Sequence, residues 1–114
     1  MDVNQFLSEL NTSLSLLDYV NNVEIEQRSV TYIKVKITLK PKGFLSIWYN
    51  AVRRTQSFSV ILENTRKWGF DYDNRIGWHE HPIKNPNLHV SSKSKTIPEI
   101  IDKLLKVWNS MKHT

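Results

Sequence analysis

Between residues 23 and 73 apolar and polar side chains alternate in short, closely spaced runs, and that pattern leaves an antiparallel sheet as the fold's centre. In residues 31–40, TYIKVKITLK, Ile33, Val35, Ile37 and Leu39 share one face while Lys34, Lys36, Thr38 and Lys40 share the other. A period of two marks a strand with one buried face. Residues 23–28, VEIEQR, alternate in the same way. FLSIWYN at 44–50, SFSVILE at 57–63 and RKWGFDYD at 66–73 read as three further strands. Reversals fall around Arg28 to Val30, at Pro41-Lys42-Gly43 and at Asn64-Thr65. A parallel crossover needs a dozen or more residues, so strands joined by connections this short must pair antiparallel.

Amphipathic helices bracket the strands. Over residues 2–20, Val3, Phe6, Leu7, Leu10, Leu14 and Leu17 recur at three- and four-residue spacing. Asp2 is the expected N-cap, Gln5 its capping-box partner, and Asn21-Asn22 the expected end. Thr96-Ile97-Pro98-Glu99 is a second helix start, with Thr96 as cap and Glu99 as its return partner. Ile97, Ile100, Ile101, Leu104, Leu105, Trp108 and Met111 follow as one apolar stripe. The expected fold is a single α+β domain spanning residues 1–114. It has an antiparallel sheet of about five strands, with an N-terminal and a C-terminal helix packed on one face.

Composition narrows the function classes. With no cysteine in the chain, disulfides, thiolate metal sites and cysteine nucleophiles are excluded. No apolar run approaches the roughly 20 residues that cross a bilayer. The N-terminus MDVNQFLSEL lacks a basic n-region, so a cytoplasmic protein with no membrane association is expected. Sixteen Lys and Arg against eleven Asp and Glu give a net charge of +5, which suits RNA or an acidic protein partner.

Titratable groups crowd into Trp68 to Val90, WGFDYDNRIGWHEHPIKNPNLHV. His79, His81 and His89 fall there, preceded by Asp71, Asp73 and Arg75. Residues 74–95 hold two prolines and read as an irregular loop, with room for a short strand near His79. In an extended segment His79 and His81 point to the same side. Two chemistries fit. Imidazoles can serve as the acid and base of RNA cleavage, with Asp73 orienting one of them and Arg75 or Lys67 offsetting phosphate charge. The same imidazoles, with Asp73, are ligand types that suit zinc or manganese. Against both stands the plainer reading that Asp71, Asp73 and Asn74 end a strand through side chain–backbone turns.

Two basic patches lie elsewhere. The row Lys34, Lys36 and Lys40 faces outward, and Glu24 and Glu26 on the preceding strand are expected to neutralise Lys34 and Lys36. Arg53 and Arg54 follow Trp48 and Tyr49, a pairing of guanidinium and aromatic faces that suits single-stranded RNA. Trp48 and Trp78 are candidate base-stacking residues, with Lys67 as a further phosphate contact. Trp108 belongs to the core.

From Phe44 to Trp108 the chain resembles the TumE-like toxins of two-component toxin–antitoxin systems. The resemblance rests on Asp71-Tyr72-Asp73-Asn74, the histidine pair that follows, the later His89 before a Ser-rich segment, and the capped helix at Thr96. Where the family pattern has a basic residue before Tyr-Asp-Asn, this chain has Asp71. The pattern's adjacent histidine pair is split here by Glu80, and its second cluster is His89 alone. The resemblance implies a small toxin that acts on RNA and is neutralised by an antitoxin of nucleotidyltransferase type. The leading expectation is an endoribonuclease-like protein that needs no cofactor, with His79, His81, His89, Asp73 and Arg75 at its site. The alternatives are a non-catalytic module binding nucleic acid or an acidic protein, and a metal-dependent hydrolase. An exposed edge strand allows a homodimer.

Overall fold

The computed structural model of the chain describes residues 1–15 and 17–111. Helix α1 covers Val3–Leu14, and strands β1 (Val20–Arg28), β2 (Tyr32–Leu39), β3 (Phe44–Asn50), β4 (Thr55–Leu62), β5 (Thr65–Asp73), β6 (Gly77–His81) and β7 (Val90–Ser91) follow. Helix α2, Ile97–Met111, closes the order. The seven strands form one sheet in sequence order, β1 to β7, every neighbouring pair antiparallel. The α+β class and the two helices agree with the sequence. Among the described residues the sheet has seven strands rather than about five: the stretch read as a loop contributes β6, at the short strand expected near His79, and β7.

Strand alternation sorts the side chains as expected. Ile33, Val35 and Ile37 of β2, Leu45 and Ile47 of β3, Phe58 and Val60 of β4, and Phe70 of β5 are all fully buried on one face. Phe6 and Leu10 of α1 and Ile100, Leu104 and Trp108 of α2 cover them. Helix α2 lies over β4 and β5, and α1 over β3. Burying a large aliphatic or aromatic side chain contributes about 1.5–3 kcal/mol, so this layer dominates the stability.

Both capping boxes form. Asp2 Oδ1 accepts from the Gln5 amide at 2.7 Å and Gln5 Oε1 from the Asp2 amide at 2.8 Å. Thr96 and Glu99 make the equivalent pair at 3.3 and 2.9 Å. Helix α1 stops at Leu14, short of the expected residue 20. Thr12, Ser13 and Ser15 hydroxyls turn back onto the carbonyls of Ser8, Glu9 and Thr12, competing with the helix for its own acceptors. Leu16, placed inside the expected helix, lies outside the described residues. Val20 already begins β1.

Strand β1 carries two register shifts. Glu24 stands opposite Lys36 as expected, but the second shift puts Gln27, not Glu26, opposite Lys34. No helix of the described residues is long and apolar enough to cross a membrane.

Candidate functional site

The helices cover one face of the sheet, and the candidate site lies on the other. Phe70 pairs with Glu80 and Tyr72 with Trp78 on the helix side. Asp71 pairs with His79 and Gly69 with His81, so Asp71 and both imidazoles stand on the open side. Even so, His79 is 3% exposed and His81 6%. The chain beyond β6 covers them. Turns link Pro82 to Asn85 and Asn85 to Leu88, and β7 then returns along β6 with Ser91 opposite His79. That arc brings His89 over the two buried imidazoles. Ring centroids of the three histidines lie 4.6 to 5.0 Å apart.

Backbone carbonyls fix the two buried rings. His79 Nδ1 donates to the Gly77 carbonyl at 2.9 Å, and His81 Nδ1 to the Pro86 carbonyl at 2.8 Å. Because a carbonyl can only accept, these contacts require the proton on Nδ1 in each ring. Each Nε2 is then turned toward Asp71 Oδ2, at 3.0 Å from His81 and 3.7 Å from His79. Burial pushes the His81 imidazole below its ordinary value. The Arg66 guanidinium and His79 push the same way, while the Pro86 carbonyl and Asp71 oppose them.

The other oxygen of Asp71 is fully engaged. Oδ1 accepts from Ser57 Oγ at 2.7 Å and from Arg66 Nη2 at 2.8 Å. Arg66 reaches it because of a bulge. Val60 pairs with Trp68 and Ile61 with Arg66, leaving Lys67 as the extra residue of β5. The bulge turns Arg66 onto the same face as Asp71. Its guanidinium lies across Gly69, where a Cβ would overlap it. Arg66 Nε is buried with no hydrogen-bond partner among the described residues.

A cleft of about 430 Å³ opens beside this group, lined by Arg66, Asp71 and the three histidines below. Trp48, Arg53, Asp73 and Arg75 line it as well. The two turns at its rim are tied together, since Asn74 Nδ2 donates to the Arg53 carbonyl at 2.7 Å. On the Arg53 side, Asn50 Oδ1 accepts from the Val52 and Arg53 amides. Trp48 packs against Tyr32 of β2 on the open face, the rings tilted by 31° with centroids 6.2 Å apart.

The structure thus gathers His79, His81, His89, Arg75, Arg53, Trp48 and Asp73 around one cleft. The carboxylate beside the imidazoles, however, is Asp71. Asp73 accepts from the Arg75 amide at 2.8 Å, and that bond holds its carboxyl below the usual carboxylate range, helped by the Arg75 charge. Trp78 lies on the helix face against Phe70 and Tyr72, not beside Trp48. Arg54 sits at the hairpin tip with φ 57°, and neither it nor Lys67 lines the cleft. The sequence reading missed Arg66, which strand parity assigns to the opposite face because the bulge leaves no trace in composition. No protein-family model, curated protein or solved structure matches this chain.

Proposed function

We propose that this chain acts on single-stranded RNA and that phosphodiester cleavage takes place at the histidine cluster. One observation carries the reading. Three imidazoles and the Asp71 carboxylate converge at the floor of a cleft whose rim bears Arg53, Arg75 and the Trp48 indole. Each part has a task in that reaction. Arg53 and Arg75 hold phosphate oxygens, and Trp48 offers a face on which an unpaired base stacks. The cluster takes the proton from the attacking 2′-hydroxyl and returns one to the departing 5′-oxygen. The products are a 2′,3′-cyclic phosphate and a 5′-hydroxyl end. The resemblance to TumE-like toxins supports the same substrate, and with it a neutralising partner of nucleotidyltransferase type.

The test is cleavage of an end-labelled single-stranded RNA by the untagged chain and by His79→Ala, His81→Ala and His89→Ala. General acid–base groups contribute about 10²–10⁴-fold, so each variant should lose at least a hundredfold in rate. Unchanged cleavage in all three removes the reading. Binding of RNA by the wild type with no cleavage points instead to a non-catalytic module.

A further inference from the structure

We propose that the histidine cluster is a metal site, in which His79, His81 and His89 hold one late first-row divalent ion, of the zinc class, beside Asp71. The assignment goes beyond RNA cleavage and does not depend on it.

Hydrogen bonding carries the argument. Both buried rings spend their Nδ1 proton on a backbone carbonyl, Gly77 for His79 and Pro86 for His81. That is the outer-shell arrangement that fixes the tautomer of a metal-ligating imidazole and aims its other nitrogen. With that proton on Nδ1, the nitrogen of each neutral ring left facing inward is an acceptor. The Nε2 atoms of His79 and His81 face Asp71 Oδ2, 3.7 and 3.0 Å away, and a cation at their focus would offset the electron density gathered there. Asp71 presents only this oxygen beside the three nitrogens, because Ser57 and Arg66 already occupy Oδ1.

Distances and ligand chemistry agree. One ligand atom from each histidine lies within 4.8 Å of the other two. Ligands around a tetrahedral ion at about 2.0–2.1 Å stand roughly 3.4 Å apart, so closure needs a movement of about an ångström. His89, exposed at the end of the 82–89 arc, is the ligand with freedom to make it. Imidazoles suit zinc, copper, nickel and iron, whereas magnesium and calcium prefer all-oxygen sites. Three histidines leave a coordination position for water or a phosphoryl oxygen, on the side where the cleft opens. An ion held there by His79, His81 and His89 would supply Lewis-acid polarisation of a water or phosphoryl oxygen at the open position.

The untagged full chain, stripped with a chelator and checked for native near-ultraviolet circular dichroism, is titrated with zinc against a chromogenic competitor. It is titrated separately with cobalt while the visible spectrum is followed. The proposal expects one equivalent of either ion and the absorption bands of a low-coordinate cobalt centre. Loss of an outer-shell partner costs 10–100-fold in metal affinity, so loss of a ligand in His89→Asn should cost at least about 100-fold. His89 is exposed, so this variant keeps the fold and decides the matter even if His81→Asn does not fold. Absence of stoichiometric binding, or wild-type affinity in His89→Asn, overturns the site. RNA cleavage separates the two proposals: a zinc-loaded chain that leaves RNA intact removes the RNA reading alone. A chain that cleaves RNA while stripped of metal and kept in chelator, and that takes up no stoichiometric zinc or cobalt, removes the metal site alone.

Discussion

Asp71 is the residue on which the site turns, and its two oxygens do different work. Oδ1 is held by Ser57 and Arg66, so Oδ2 is presented to the imidazoles in one direction. Gly69 makes this possible, since only a residue without a Cβ leaves room for the Arg66 guanidinium to cross β5. Gly69→Ala should therefore displace Arg66 from Asp71. The part-exposed ion pair is worth at most about 1 kcal/mol, so thermal stability should barely move. If the chain cleaves RNA as proposed, the rate should fall about ten- to hundredfold as the carboxylate loses its support. A melting curve and a rate measured on the same preparation test the two halves of that statement. A large loss of stability with normal activity contradicts it.

At the scale of elements, alternation made β2 through β5 legible, and capping chemistry made both helix starts legible. Both signals are local, and both survive in the fold. The remainder depends on contacts that a single strand does not display. Strand β6 is five residues long and β7 two, too short for a period to show; pairing with β5 makes β6 a strand, and pairing with β6 makes β7 one. The bulge at Lys67 reverses which face Arg66 occupies, so parity counted along β5 misplaces it. The histidines could be grouped from sequence, but the carboxylate beside them could not. Asp71 and Asp73 share a parity, and only the turn at Arg75 claims Asp73. Helix α2 offers a prediction at this scale. Thr96→Ala removes its cap and should cost about 1 kcal/mol in urea unfolding. Hydrogen bonds from Thr96 hold the Glu99 carboxyl below its ordinary value of 4.5. A carboxyl depressed in the folded state stabilises above its unfolded value, and that contribution fades as pH falls from about 4.5 through the lower folded value. Glu99→Gln should flatten that part of the acid limb. An unchanged limb contradicts the assignment.

For the molecule as a whole, the sheet divides the labour. One face carries both helices and nearly all the buried apolar surface, so the opposite face is free to carry polar groups. Lys34, Lys36 and Trp48 lie on that open face with the cluster, and Arg53 and Arg75 stand at the cleft rim beside it. The helices pack chiefly on β3, β4 and β5, and Val23 and Ile25 of β1, on their side of the sheet, are 40% and 44% exposed. If RNA lies along the open face, its affinity must fall with salt. Two phosphate contacts from Arg53 and Arg75 predict a log–log slope of about −1.4 for a single strand, and each Arg→Ala change should reduce it by about 0.7. A slope unaffected by either change places the phosphates elsewhere.

Mapping the contact surface reaches the central claim most directly. Backbone and indole resonances of the isotopically labelled chain are followed while a short single-stranded RNA is added. Shifts concentrated at Trp48, Arg53, Gly69, Asp71, His79, His81 and His89, with α1 and β1 unmoved, are the predicted result. Shifts confined to the helix face or to the β1 edge, with the histidine cluster silent, would contradict the account.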